Sequence, residues 1–123
     1  MVRVYDNVFT EEMGDALVHT FEHTKHGQEY IDHNHTPCFT QLNMNEHHPD
    51  AVRLFVNWTR IAYHDYVLET DNKHIPKFQH LEEFRIKRYL TNREERFDEH
   101  VDVTDYPSAR RALAFLFYLN DND

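Results

Sequence analysis

The sequence contains one cysteine and two glycines among its 123 residues, and it contains no long apolar run. A single cysteine excludes an internal disulfide and has no partner at zinc-site spacing, so we interpret Cys38 as a small buried hydrophobic residue. The longest apolar run, 112–119, is far shorter than the roughly 18 residues that a membrane span needs. The N-terminal residues lack the basic stretch and apolar core of a secretory signal. These absences predict a cytoplasmic protein with no membrane partner.

Basic residues are also scarce: the chain has 13 lysines and arginines and 22 aspartates and glutamates, which gives a formal net charge of -9. Nucleic-acid binding depends on clustered basic side chains that displace counterions, so this balance argues against a nucleic-acid partner. With 40% hydrophobic residues, the chain can bury a core and is too apolar for a disordered protein. Its length fits one domain, so we treat residues 1–123 as a single unit.

Helical patterns dominate the first half of the chain. Thr10 is an N-cap candidate followed by two glutamates, and Gly27 supplies a stop signal, which together predict a first helix. Pro49 predicts the start of a second helix, over residues 50–69. The apolar residues expected on the buried faces of these helices are Met13, Leu17, Phe21, Val52, Phe55, Trp58, Ala62 and Tyr66.

Strand patterns dominate the second half, where segments rich in aromatic and β-branched residues are separated by polar turns. The predicted strands are 2–8, 38–45, 81–90, 96–103 and 111–120. The expected fold is therefore α+β. Helices within about residues 10–70 pack on an antiparallel β core over about residues 81–120, which curls into a barrel or sandwich.

The eleven histidines are a compositional excess, and one group of them lies on the first predicted helix. Residues three, four and seven positions apart share a side of a helix, which makes a helical metal-binding module one hypothesis. That side is opposite the apolar face, so exposure to solvent explains these polar residues without a ligand. The residues concerned are His19, Glu22, His23 and His26.

A second arrangement is the pattern His-x-Asp, which occurs twice. On a strand, an imidazole and a carboxylate two positions apart point to one side and supply two of the three ligands of an Fe(II) facial triad. His48-Pro49-Asp50 begins a predicted helix, where capping explains it better. His100-Val101-Asp102 lies in a segment that alternates apolar and polar residues, which favours His100 and Asp102 as the metal ligands.

Further motifs surround the second pair: FRIKRY, which ends at Tyr89, the spacing F-x-x-H-x-D, then Arg111 and an apolar segment ending in YLND. Residues Phe84 to Asp121 resemble the first half of the catalytic core of iron and 2-oxoglutarate dependent oxygenases, in the prolyl-hydroxylase-like branch. The resemblance implies a double-stranded β-helix, or jelly-roll, core. It implies that His100 and Asp102 bind Fe(II), that Tyr89 and Tyr118 contact 2-oxoglutarate, and that Arg111 is structural.

The activity implied by this resemblance is hydroxylation of a protein or small-molecule substrate, with Fe(II), 2-oxoglutarate as cosubstrate and ascorbate as a candidate further cofactor. The chain departs from the family pattern in two ways. The family's turn before the metal motif contains glycine, whereas this chain has TNREER, Thr91 to Arg96. The distal histidine ligand and the basic residue that anchors 2-oxoglutarate would lie beyond Asp123.

These departures lead us to expect a jelly-roll core that is incomplete at its C-terminus, with weak Fe(II) binding and no efficient turnover. The alternative hypothesis is a truncated, noncatalytic binding or interaction module of the same fold. His80 is a weak substitute for the third ligand. Arg85 and Lys87 share a strand side with Tyr89 and are within reach of a dicarboxylate, although long basic side chains at a strand edge are more often solvated.

Overall fold

The computed structural model describes residues 1–34, 37–71, 74–75, 77 and 80–121. These residues form an α+β fold, which confirms the predicted class. Short 3₁₀ turns occur at Lys25–Gly27, Thr91–Arg93 and Ser108–Arg110. The helices are α1 (Glu11–His23), α2 (Met44–His47) and α3 (Pro49–Thr70), and the strands are β1 (Gln28–Asp32), β2 (Cys38–Asn43) and β3 (Arg85–Arg88).

Helix α1 begins where the sequence predicts. The hydroxyl of Thr10 accepts a hydrogen bond from the backbone N–H of Met13 at 3.2 Å, which satisfies one of the free amides at the helix start. Leu17 and Phe21 are buried, as the four-residue spacing predicts, whereas Met13 is 41% exposed. The helix ends at His23, before Gly27, because the chain tightens into a 3₁₀ turn there.

Helix α3 begins at Pro49, and its predicted apolar stripe faces the core. Phe55, Trp58 and Ala62 are buried, whereas Val52 and Tyr66, also predicted there, are only half-buried. The helix ends at Thr70, and its C-cap residue Asp71 has a φ of 45°, in the left-handed region that commonly terminates helices. Among the helices of the described ranges, none has the length and apolar composition needed to cross a bilayer.

The three strands form one antiparallel sheet in the order β1-β2-β3. Leu42 in the central strand pairs with Gln28 on one side and with Ile86 on the other. Side chains alternate across a sheet, so Leu42 and Ile86 share the face that packs on the helices. We call the opposite face, which carries Phe39 and Lys87, the outer face.

The core lies between the sheet and the helices, and both flanking segments of the chain complete it. Phe9 stacks on Trp58 at 4.6 Å between ring centroids, and Phe117 contacts Trp58 edge-on at 5.7 Å. A Cβ added to Gly14 would lie 2.8 Å from the carbonyl oxygen of Leu119, so glycine allows this close approach. The buried core residues are Leu17, Phe21, Leu42, Met44, Phe55, Trp58 and Ile86.

Several strand predictions are wrong. Strand β1 was not predicted, while residues 2–8 form no strand and 81–90 contribute only Arg85–Arg88. Segments 96–103 and 111–120 have no strand assignment, because neither forms a backbone ladder with another described strand. The described residues therefore show a three-stranded sheet, and a jelly-roll core is not seen among them.

Candidate metal site

The outer face of the sheet positions the segment that carries the predicted metal ligands. The backbone N–H of Cys38 donates to the carbonyl oxygen of Arg96 at 2.8 Å, which ties this segment to the end of β2. The Phe97 ring then stacks on the Phe39 ring, with centroids 5.9 Å apart and planes 17° apart. Aromatic stacking holds the segment over the sheet just before the His-x-Asp motif.

The structure brings His100 and Asp102 together. His100 Nε2 lies 3.0 Å from Asp102 Oδ1, and His100 Nδ1 lies 2.9 Å from the carbonyl oxygen of Asp98. The imidazole ring packs against Phe97 at 3.9 Å between centroids. The side chains of the pair are 47% and 54% exposed, so the site is open to solvent.

The Asp98 carbonyl orients the His100 imidazole. A carbonyl oxygen can only accept, so the contact at Nδ1 is a hydrogen bond that His100 donates. Nε2 then faces the carboxylate of Asp102. A metal-bound histidine typically donates its second ring N–H to a backbone carbonyl in the same way.

The distance between the two donor atoms suits a shared metal ion. Two ligand atoms that each lie about 2.1 Å from a metal, at right angles to one another, are about 3.0 Å apart. The observed separation of 3.0 Å has that value, which is also the ordinary length of a hydrogen bond. In the described part of the chain, no group of three or more His, Cys, Asp or Glu residues is placed to hold a metal. The described residues therefore bring together two candidate ligands, His100 and Asp102.

Comparison with known proteins neither supports nor contradicts this site. No family model, curated protein or solved structure matches the chain. The assignment of the pair as a metal site therefore depends on its own atoms and on the motifs around it.

Arg111 fixes the backbone at Asp102. Its Nε and Nη2 atoms donate to the two carboxylate oxygens of Glu82, at 2.5 and 2.9 Å, and its Nη1 donates to the backbone carbonyl of Asp102. A bidentate contact of this kind fixes orientation as well as distance. The same contact lowers the pKa of Glu82 and raises the pKa of Arg111. Arg111 thus links the metal-site segment to the residues that precede β3.

We expect the Glu82→Gln variant to be less stable at neutral pH by less than about 1 kcal/mol, because the Arg111 contact is partly exposed. The pKa of Glu82 is lowered in the folded state, so the contact stabilises the fold above the ordinary value of 4.5 and is lost as pH falls through the folded pKa. Urea unfolding at about pH 7 and about pH 4 measures how much stability the contact contributes at each pH. The matched control is Glu83→Gln, at an exposed carboxylate that pairs with Arg85. If the free energy of unfolding changes equally between the two pH values in both variants, the pH dependence does not come from Glu82.

The two predicted cosubstrate tyrosines have different positions. Tyr89 lies on the outer face, with its ring 5.4 Å from the Phe39 ring, and burial raises its pKa, so its phenol stays neutral. Tyr118 is 68% exposed and, among the described residues, has no hydrogen bond or ring contact with the pair. Its neighbour Phe117 takes the core-facing side of the extended segment, which turns Tyr118 outward. Tyr89 therefore shares the Phe39 ring with Phe97, which packs on His100, whereas Tyr118 is exposed on another segment.

The other histidine arrangements have structural explanations. His48, from the first His-x-Asp motif, lies 2.7 Å through Nε2 from the hydroxyl of Thr24, and Asp50 lies in the first turn of α3. On α1, the His19 and His23 rings stack at 3.8 Å, and Nδ1 of His23 lies 2.8 Å from the carbonyl of His19. These contacts give the helical histidines a role in packing and local hydrogen bonding.

Lys87 is exposed, as sequence reasoning favoured, and it also lies against two aromatic rings. Its Nζ atom lies 4.7 Å from the centroid of Phe39 and 5.2 Å from that of Phe97. Burial lowers the pKa of Lys87, and so does Arg85, while the negative charge of Asp102 raises it. The alternation of Arg85, Lys87 and Tyr89 on one strand side was the available signal, but the position of Phe97 was not predicted.

Proposed function

We propose that the chain forms the metal-binding part of an Fe(II)/2-oxoglutarate-dependent dioxygenase of the prolyl-hydroxylase-like branch, which hydroxylates a protein or small-molecule substrate. The observation that supports this most directly is the convergence of His100 Nε2 and Asp102 Oδ1 at 3.0 Å. A neutral imidazole and a carboxylate form two of the three ligands of the facial triad that suits Fe(II). In this proposal, the sheet and the extended segment 111–120 belong to a double-stranded β-helix.

The residues around the pair have roles that fit this chemistry. When bound, Fe(II) supplies dioxygen activation, coupled to the decarboxylation of 2-oxoglutarate to succinate. His100 and Asp102 would hold the ion, with the Asp98 carbonyl orienting the imidazole. The Phe97 ring shields one side of the imidazole from water. Tyr89, with its neutral phenol, is a hydrogen-bond donor available to a carboxylate.

One observation favours the second hypothesis, a noncatalytic binding module. The described residues offer two metal ligands and no third. Two ligands hold a metal less firmly than three, so slow turnover is expected even if the site binds Fe(II). Metal binding without succinate formation would support the binding module over the enzyme.

The test is succinate formation from 2-oxoglutarate in the presence of Fe(II) and ascorbate. We expect slow, Fe(II)-dependent formation that falls at least about tenfold in His100→Ala, because one of two ligands is lost. The matched control is His64→Ala, at a side chain on α3 that is 71% exposed. Succinate formation that persists in His100→Ala at the wild-type rate would overturn the proposed site.

A further inference from the structure

Two histidines that are not part of the His100–Asp102 pair lie side by side. His26 lies in the 3₁₀ turn Lys25–Gly27, and His47 is the last residue of α2. Their ring centroids are 5.6 Å apart, and their planes are 82° apart. We propose that His26 and His47 together bind a divalent transition-metal ion, for which Zn(II) is the best match. This second site does not depend on the proposed function.

The spacing of the two rings is close to that of two imidazoles on one tetrahedral ion. A ring nitrogen lies about 2.1 Å from zinc, so at a tetrahedral angle the two ring centroids are about 5.2 Å apart. The observed distance is only slightly longer. The χ2 torsion of histidine is broad, so the exposed His26 ring can turn a nitrogen toward the ion at little cost.

Gly27 makes room for the His47 ring. A Cβ added to Gly27 would lie 2.7 Å from three atoms of that ring, so the imidazole packs against the glycine where a side chain would otherwise be. The His47 side chain is accordingly only 22% exposed. A ligand that is already held in place loses less conformational entropy when it binds an ion. His47 is therefore the fixed ligand of the pair, and His26 is the adjustable one.

The ring nitrogens of the pair are available to an ion. In the part of the chain that the structure describes, neither ring forms a hydrogen bond, whereas Nε2 of the adjacent His48 lies 2.7 Å from the Thr24 hydroxyl. Glu46 Oε1 lies 3.9 Å from His47 Nε2. At that distance, the carboxylate attracts a cation bound to the same nitrogen.

The surroundings indicate which kind of ion fits. Imidazole ligands suit zinc and its neighbours in the transition series, whereas Mg(II) and Ca(II) prefer oxygen ligands. An open groove of about 530 Å³ borders His26 and leaves room for water ligands, although the Lys25 ammonium also lines it and opposes a cation. We therefore expect an exchangeable ion that links the turn after α1 to α2.

The test titrates Zn(II) by calorimetry into the full chain carrying Asp102→Asn, which disables the other proposed metal site. The pH is about 7.5, where ordinary imidazoles are neutral and free to bind a metal. We expect His26→Ala and His47→Ala each to weaken zinc binding at least about tenfold, because losing even a residue that only supports a ligand costs 10- to 100-fold. Gly27→Ala should also weaken it, since the added Cβ displaces the His47 ring while both ligands are kept.

His19→Ala is the matched control, because it removes another exposed histidine, whose ring stacks on His23. Its zinc affinity should stay within about twofold of the parent, as for residues that share no partners. Zinc binding that depends on His19 instead of the pair would place the ion on α1 and overturn the proposal. The proposal also fails if zinc does not bind, or if binding is unchanged in either His26→Ala or His47→Ala. A thermal melt checks folding, and the exposed position of His26 keeps that variant informative if His47→Ala does not fold.

Discussion

Replacing Leu42 with alanine is expected to lower the free energy of unfolding by about 3–5 kcal/mol. Leu42 is fully buried, at 0% exposure, in the central strand of the sheet, and its side chain packs within the cluster formed with the helices. Removing its branched end leaves a cavity between strand and helices that the surrounding backbone cannot close. This loss is a large fraction of the total stability of such a domain, which is typically about 5–15 kcal/mol.

Urea unfolding followed by circular dichroism measures this effect. The matched control is Leu68→Ala, the same chemical change at a side chain on α3 that is 67% exposed. We expect this control to shift stability by no more than about 0.5 kcal/mol, as is usual for exposed positions. Equal losses in the two variants would mean that the inner face of β2 does not pack on the helices.

The two longer helices were predictable because their signals are local. Thr10 caps α1 through its own side chain, and Pro49 starts α3 at a position where its missing N–H costs nothing. The apolar periodicity then identifies Leu17, Phe55 and Trp58 as buried. Each signal spans a few residues, so the sequence near the element contains it.

The sheet was harder to predict because a strand depends on a partner distant in the sequence. Strand β1, Gln28–Asp32, has a polar sequence without clear alternation, and its pairing with β2 defines it. Residues 111–120 alternate strongly, with Phe117 inward and Leu116 outward, yet they pair with no described strand. Alternation indicates an extended chain with two faces, and it does not identify the neighbour that completes a ladder.

The candidate site also combines a local feature that could be predicted with a tertiary feature that could not. His100 and Asp102 were predicted to converge because residues two apart on a strand share a side. They do converge, but in a segment with no strand assignment, where the imidazole is oriented by the Asp98 carbonyl. The spacing was therefore informative although the element was wrong. The stacking of Phe97 on Phe39, which sets the position of Lys87, depends on tertiary contacts that spacing alone does not contain.

Exchanging Asp102 for asparagine is expected to weaken Mn(II) binding at least about 100-fold. Loss of a residue that only supports a ligand typically costs 10- to 100-fold in metal affinity, so loss of a charged ligand should cost at least as much. Asparagine keeps the size of the side chain and removes the negative charge that neutralises the ion. Calorimetric titration with Mn(II) measures the change.

Asp98→Asn is the matched control, because the same chemical change then falls on a carboxylate outside the pair. The Asp98 side chain bonds to Arg96 at 3.0 Å, while its backbone carbonyl, which the substitution preserves, orients His100. Its Mn(II) affinity should therefore stay within about threefold of the wild type, as for an exposed ion pair. If Asp98→Asn and Asp102→Asn weaken binding equally, the carboxylates act only through the general negative charge of the segment. A loss specific to Asp102→Asn would instead indicate that the ion binds at the Asp102 carboxylate, next to His100 Nε2.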